Sequence, residues 1–418
     1  MTDAYIIAAA ATRFGRQSDV SEKQLARQVY LDVLADAGWV TGDDIDIAYF
    51  GNCGMWVVGQ GSVRGQVCFT ALVADGLFPE RVPMVNVEGA CATASMALHM
   101  AARDVLSGQS RVALAVGVEK TFYPDRPELT ARLYDGGIDR FDPHEWQDYY
   151  KAAGTAAGKP FEPGPGRTIF MDTYAMQACY HMKRYGTTQA QIAAAAAKNH
   201  AHSVHNAKAQ YRKAMSVEEV LADKPISYPL TRSMCSPIGD GAAAAIVCTK
   251  DVLDGLPAEV RDRAVRIAAF QLSGGKYRTL DEDGLSRIAG DRAYARAGIT
   301  PGHIDVAEVH DATAFCELYQ AEMLRFCGEG EGGPFVESGA ASVGGTLPIN
   351  TSGGLVSKGH PVGATGLSMI YELVSQLRGE TEEGRRVPGA EWALAENGGG
   401  VMGFDEAACA VTILHRDR

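Results

Sequence analysis

The chain has 418 residues, 46% hydrophobic and 22% charged, the balance of a folded protein with room for two or three domains. A formal net charge of −12 without a long Lys/Arg block excludes a general nucleic-acid binder, so an anionic ligand would need a local basic patch. No stretch approaches the ~20 apolar residues of a membrane span, and nine cysteines, odd in number and without a CxxC pair, suit a reducing cytoplasm and offer no zinc site.

In chain order, MTDAYIIAAAATRFGRQ reads as a first strand and not a signal peptide, because an acid precedes its short apolar run. The C-terminal HRDR carries no peroxisomal address. AGWVTGDDIDIAYFGNC, Ala37–Cys53, is a helix end at Ala-Gly, a turn, and Ile-Asp leading into a strand. Next comes VNVEGACATASMAL, Val85–Leu98. Its β-branched run from Met84 to Val87 predicts a buried strand, Gly89 breaks it, and Ala92–Ala102 has helical spacing.

Cys91 stands where this strand gives way to the helix. Free N–H groups and the helix dipole there favour an anion, so the thiol is expected to ionise below the reference ~8.5 and act as a nucleophile. A buried core cysteine fits the same stretch.

After the strand VALAVGVEK, Val112–Lys120, comes a long insert that ends near Ser236. It is rich in Tyr, Trp, Pro and Gly around Tyr123–Arg167, then helical through Met171–Tyr185 and Gln189–His200. Long inserts on a rigid scaffold form lids or binding surfaces. Trp146, Tyr149, Tyr150, Phe161 and Phe170 fit either an acyl pocket or a small core belonging to the insert itself. In the basic run KNHAHSVHNAKAQYRKA, Lys198, Lys208, Arg212 and Lys213 are the candidates to meet an anion. His200, His202 and His205 have no acidic or cysteine ligand clustered with them, so no metal site is expected.

The second half repeats the first. AGITPGHIDVAEVHDAT, Ala297–Thr313, matches Ala37–Cys53; GATGLSMI matches CATASMAL; GGGVMGFDEAACAVTILH matches SPIGDGAAAAIVCTK. Three correspondences in one order predict a duplicated α/β unit. His310 and Asp311 fall at the C-terminal end of the strand VAEVHDATAF, where open α/β sheets bind ligands. In NTSGGLVSKGHPVGATG, Asn350–Gly366, His360 is pinned between Gly359 and Pro361 before a second helix start. Asn350, Ser352 and Gly353 there, with Gly398 and Gly399 of AENGGGVMG, are the candidate substrate contacts. A thiol, a base and converging N–H donors are the parts of acyl transfer through a thioester.

The ordered set EGACATAS, VHDATAF, NTSGGLVSKGHPVGATG and NGGGVMG resembles the thiolase superfamily, and within it the sterol-carrier-protein-type thiolases and their bacterial relatives. The resemblance spans the whole chain. It implies two βαβαβαββ halves in a five-layer α-β-α-β-α core: residues 1–120 with 236–255, and 256–418. Residues 121–235 would form a loop domain covering coenzyme A. It implies a homodimer or tetramer, with CoA and acyl-CoA as substrate and product and no permanent cofactor.

By the same resemblance Cys91 matches the acylated cysteine, His360 the GHP histidine that activates it, and His310 an oxyanion-hole histidine. Backbone N–H groups of Cys91 and of the Gly398–Gly400 turn match the other oxyanion hole. The second cysteine of thiolases is replaced: one of its slots holds Glu396, the other Ala312. Cys316 or Glu396 is expected to take the proton. The leading expectation is 3-ketoacyl-CoA cleavage or the reverse condensation. The alternatives are a retro-aldol lyase on a β-hydroxyacyl-CoA with a small OB-fold partner, or a non-catalytic acyl-CoA-binding subunit.

Overall fold

The computed structural model describes residues 3–139, 141–162 and 168–417, so residues 163–167 of the Pro/Gly-rich part of the insert lie outside the described residues. The first half contributes β1 (Ala4–Ala11), β2 (Ile47–Gly51), β3 (Met84–Val87) and β4 (Val112–Glu119). A small hairpin follows in the insert, β5 (Pro225–Ser227) with β6 (Leu230–Thr231), and β7 (Gly241–Thr249) closes the first half. The second half contributes β8 (Val265–Gly274), β9 (Val306–Glu308), β10 (Trp392–Gly399) and β11 (Ala408–His415).

Strand order makes the duplication explicit. One half runs β3-β2-β4-β7-β1 and the other β8-β11-β10-β9, joined where Tyr5 and Ile6 pair with Arg266 and Val265. In each half two parallel pairings are followed by antiparallel ones, and Ile349 bridges Ala307 in the place β3 holds beside β2. The repeated sequence features recur as repeated structure. Helices Glu22–Ala37 and Leu285–Ala297 both end on left-turning glycines, Gly38 at φ 69° and Gly298 at φ 70°, where a side chain would be strained. Each is followed by a one-turn helix, Gly42–Asp44 or Pro301–His303, closed by a threonine capping box.

Three apolar cores define five layers. Helices Thr93–Ser107 and Thr365–Arg378 are packed between the two halves of the sheet, burying Ala97, Leu98 and Ala101 against Leu367, Ile370 and Leu373. Helices Glu22–Ala37 and Arg64–Ala74 cover the outer face of the first half. Helices Leu285–Ala297 and Ala314–Met323 cover that of the second. Strands buried on both faces explain why β4 and β7 read as continuous apolar runs and not as alternating ones.

The insert adds helices Pro127–Asp135, Pro143–Ala157, Ile169–Tyr185 and Gln189–Ser203. Most of its aromatic residues serve its own packing. Trp146, Tyr150 and Phe161 form a small core with Met176 and Phe404, against which Tyr149 packs. Phe170 instead faces a cavity above the sheet.

Candidate active site

The two central helices meet start to start, each entered through a one-turn helix, Ala90–Ala92 or Val362–Ala364. Their closeness depends on glycine: a β-carbon at Gly366 would lie 2.0 Å from Ser95 Oγ and 2.6 Å from its backbone nitrogen. Cys91 sits on the first of these turns. The preceding residue, Ala90, takes φ 49°, a left-handed conformation unusual for a side chain, and this turns the thiol toward the second half.

There the Cys91 sulfur lies 3.2 Å from His360 Nε2. His360 Nδ1 is 2.7 Å from Thr365 Oγ1, and that hydroxyl donates to the Pro361 carbonyl at 3.0 Å. A hydroxyl has one proton, so Nδ1–H must donate to Thr365. That tautomer leaves the Nε2 lone pair facing the thiol.

His310 follows β9 and completes the cluster, one ligating atom from each of Cys91, His310 and His360 lying within 4.8 Å of the others. Its Nε2 is buried and has no hydrogen-bond partner among the described residues. An unpartnered ring nitrogen beside the thiol is open to a polar atom that arrives with a ligand.

Burial sets the resting protonation. It pushes the Cys91 thiol up to about 12, with Glu119 adding to the rise, while the Cys91 and Gly400 backbone N–H groups oppose it. Burial holds His310 down to about 4 and His360 well below its ordinary value, His310 and Lys358 adding to the latter. The helix-start expectation of a readily ionised thiol is therefore corrected: desolvation outweighs the local donors. The resting pair is a neutral thiol on a neutral imidazole. The same two N–H groups, of Cys91 and Gly400, are placed to receive the oxygen of an acyl group on the sulfur.

The cluster opens into a cavity of ≈ 1710 Å³ lined by Cys91, His360 and Ala312 and walled by the insert through Leu133, Tyr134, Phe170 and Tyr174. Arg212 and Lys213 line it, with Arg16, Arg64 and Arg232. Lys198 and Lys208 are not among its lining. Lys198 is buried 3.0 Å from Glu317 and donates to the Ile349 carbonyl, and Lys208 donates to the Ala11 carbonyl and covers the Tyr371 ring.

The stretch Asn350–Gly353 is buried and is not among the cavity lining. Asn350 binds the Val309 N–H and Glu317, Ser352 binds Glu308, and Gly353 packs on Ser203. Gly398 packs against Glu406 and Gly399 against the Cys91 loop. His200 and His202 are hydrogen-bonded through both ring nitrogens, to Ser357 and Ser233 and to Asn350 and Val343.

Cys316 is buried, its sulfur 3.3 Å from Thr313 Oγ1 and its pKa pushed up to about 12 by burial. Glu396 is buried under the site, accepting the His310 backbone N–H at 3.1 Å and the Cys409 thiol at 3.4 Å. Burial first, and Glu406 next, raise its carboxyl to about 8. Neither Cys316 nor Glu396 is among the cavity lining.

Two further residues hold the site together. Both Glu119 oxygens are occupied: Oε1 accepts from Asn52 Nδ2 and the Gly54 N–H, Oε2 from the N–H groups of Cys53 and Gly363. One carboxylate thus ties the first half to the turn below His360. Its sequence signal is a lone acid closing an otherwise apolar strand. Asn397 donates to the Cys91 carbonyl at 3.0 Å and to Ser95 Oγ at 3.1 Å. It carries no signal beyond its place in the glycine turn.

The frame and a thiol paired with an imidazole fit an acyl-transfer enzyme, and comparison with known proteins supplies the class. Residues 4–220 match the family described as thiolase, N-terminal domain, and residues 282–415 the thiolase C-terminal domain-like family. The chain belongs to the thiolase family. An acetyl-CoA acetyltransferase of Methanothermobacter thermautotrophicus is 36% identical over 96% of this chain and 98% of its own length. The benzoylsuccinyl-CoA thiolase subunit BbsB of Thauera aromatica is 30% identical over 90% and 89%. Among solved structures, an Ltp2-ChsH2(DUF35) aldolase aligns with TM-score 0.77 at 23% identity, covering 100% of this chain and 98% of that one. Human mitochondrial 3-ketoacyl-CoA thiolase in complex with CoA aligns with TM-score 0.69 at 16% identity over 100% and 98%. At those identities the structural likeness speaks for the fold.

Proposed function

We propose that this chain cleaves 3-ketoacyl-CoA thioesters, or runs the reverse condensation, carrying the acyl group on Cys91. The observation that bears most weight is the 3.2 Å contact between the Cys91 thiol and a His360 whose tautomer Thr365 fixes. His360 Nε2 takes the thiol proton as sulfur attacks the 3-keto carbon. His310 and the N–H groups of Cys91 and Gly400 hold the oxyanions, and free CoA then removes the acyl group. CoA is substrate and product. Arg212 and Lys213, which line the cavity, are suited to its phosphates. We place the chain in the cytoplasm, where its nine unpaired cysteines would stay reduced.

A homodimer or tetramer is part of this reading. β3 is an outermost strand, paired on one side with β2, and Val85 on it is 41% exposed.

A second reading is a retro-aldol lyase working with a small OB-fold partner. It draws support from Ala312, which brings no proton carrier to the cavity. Intact-protein mass after mixing with acetyl-CoA or a medium-chain 3-ketoacyl-CoA tests the choice. An acyl-sized increase lost in Cys91→Ala favours the thiolase reading; bound ester without adduct favours the lyase.

A further inference from the structure

The cluster of Cys91, His310 and His360 is also a set of metal ligands. Among the described residues it is the one group of three His, Cys or carboxylate side chains whose ligating atoms lie within 4.8 Å of one another. Spacing in the sequence gives no sign of it, because 269 residues separate Cys91 from His360. The fold brings them together by setting the two central helix starts against each other.

A tetrahedral Zn2+ takes sulfur at about 2.3 Å and imidazole nitrogen at about 2.0–2.1 Å, which sets a sulfur and a nitrogen ligand about 3.5 Å apart. The Cys91 sulfur and His360 Nε2 already stand 3.2 Å apart. No separation in the cluster exceeds 4.8 Å, so bringing in the third ligand takes a side-chain shift of about 1 Å. His360 is held as metal-bound histidines are: its Nδ1–H donates to Thr365 Oγ1 at 2.7 Å, and that hydroxyl is anchored on the Pro361 carbonyl. The Nε2 lone pair is thereby left for an ion. His310 adds a second buried imidazole, whose Nε2 gives up no hydrogen bond among the described residues on meeting a metal. Cys91 and His360 both line the cavity of ≈ 1710 Å³, which gives an ion a way in and leaves its fourth corner for water. One thiolate with two imidazoles suits Zn2+ and not Mg2+ or Ca2+.

We propose that Cys91, His310 and His360 form a reversible site for one Zn2+ ion, and that the ion shuts off acylation of Cys91. The thiol proton leaves to solvent as sulfur binds, so each ion bound releases one proton. The ion occupies the sulfur and the His360 nitrogen that attack on a thioester requires, so metal and acyl group exclude one another. The site itself stands apart from the acyl-enzyme reading above, whereas its effect on acylation rests on that reading.

The test takes the full chain, stripped of metal by a chelator, and titrates it with zinc chloride alone. The expected result is one ion per chain, with affinity reduced about 10²-fold or more in each of Cys91→Ala, His310→Asn and His360→Asn, at least the scale of losing an outer-shell partner. Co2+ in the same place should show a thiolate-to-metal charge-transfer band that Cys91→Ala lacks. Two readouts need no variant. Zinc at about ten times its Kd should slow both iodoacetamide alkylation of Cys91 and adduct formation from acetyl-CoA about tenfold, in proportion to the chains left empty, and EDTA should restore both. Full affinity in Cys91→Ala or His310→Asn, or no ion retained at micromolar free zinc, would overturn the site. Zinc bound with adduct formation at its metal-free rate would overturn the inhibition. If the metal-free chain forms no adduct at all, the acyl-enzyme reading fails and the inhibition with it, while titration and alkylation still decide the site.

Discussion

Gly399 lies so close to the loop carrying Cys91 that a β-carbon on it would stand 2.3 Å from the Ala92 backbone nitrogen and 2.3 Å from the Gly89 carbonyl oxygen. The second half of the chain thereby touches the backbone that aims the nucleophile. Backbone cannot yield as a flexible side-chain tip can. Gly399→Ala is expected to cost about 1–3 kcal/mol of stability, the usual range for overpacking. It should slow Cys91 acylation by roughly 10²-fold through misplacement of the thiol. Thermal unfolding and adduct kinetics on the same sample check both.

Thr365 fixes the proton on the far side of His360. Thr365→Val keeps the shape and removes the acceptor for Nδ1–H. Acylation is expected to slow by about tenfold, the rate equivalent of one hydrogen bond of ~1 kcal/mol. Binding of a non-reactive CoA thioether should be unchanged, which separates this effect from a collapsed pocket.

Glu119 accepts four hydrogen bonds and gives none. Glu119→Gln would turn an amide NH2 toward two of those donors. A loss of about 2–3 kcal/mol is expected from stranded buried donors, read by denaturant unfolding. The loss should exceed that of Asp75→Asn, whose carboxylate makes an exposed ion pair with Arg27.

The pH profile follows from the neutral thiol–imidazole pair. Burial raises the Cys91 thiol to about 12 and lowers both site histidines, His310 to about 4. Between those limits neither proton of the pair is gained or lost, so any change in adduct formation between roughly pH 6 and 9 is expected to be shallow and to follow the buried carboxyls of Glu119 and Glu396, raised by burial to about 7 and about 8, with a steep fall only when acid protonates His360. A rate climbing tenfold per pH unit through about 8.5 would indicate a freely ionising thiol instead.

In the proposed function, Arg212 and Lys213 on the cavity wall act on affinity and not on chemistry. Arg212→Ala with Lys213→Ala is expected to raise the KM for CoA esters about tenfold and to weaken its dependence on salt. The saturated acylation rate should change little. Titrations at two salt concentrations check this.

Much of the frame was legible because duplication writes the same punctuation twice. The Ala-Gly helix ends, the Ile-Asp strand starts and the two small-residue helix starts are local features, and each became the element it predicted. That Cys91, His310 and His360 would come together was legible for a related reason, each being a polar residue bracketed by glycine or placed at a strand or helix end. What stayed hidden depends on distance across the fold. Lys198 reads as a basic surface residue until Glu317, far along the chain, is seen beside it. Asn350 and Ser352 read as ligand contacts until Glu317 and Glu308 claim them. Sequence adjacency to a helix start pointed to an acidic thiol at Cys91, whereas desolvation and the nearby Glu119 push it the opposite way.

The central claim is that Cys91 carries an acyl group, and intact-protein mass after brief mixing with acetyl-CoA tests it most directly. The account predicts a single acyl-sized increase that hydroxylamine or free CoA removes and that Cys91→Ala never shows. Full occupancy by the ester with no change in protein mass would contradict it.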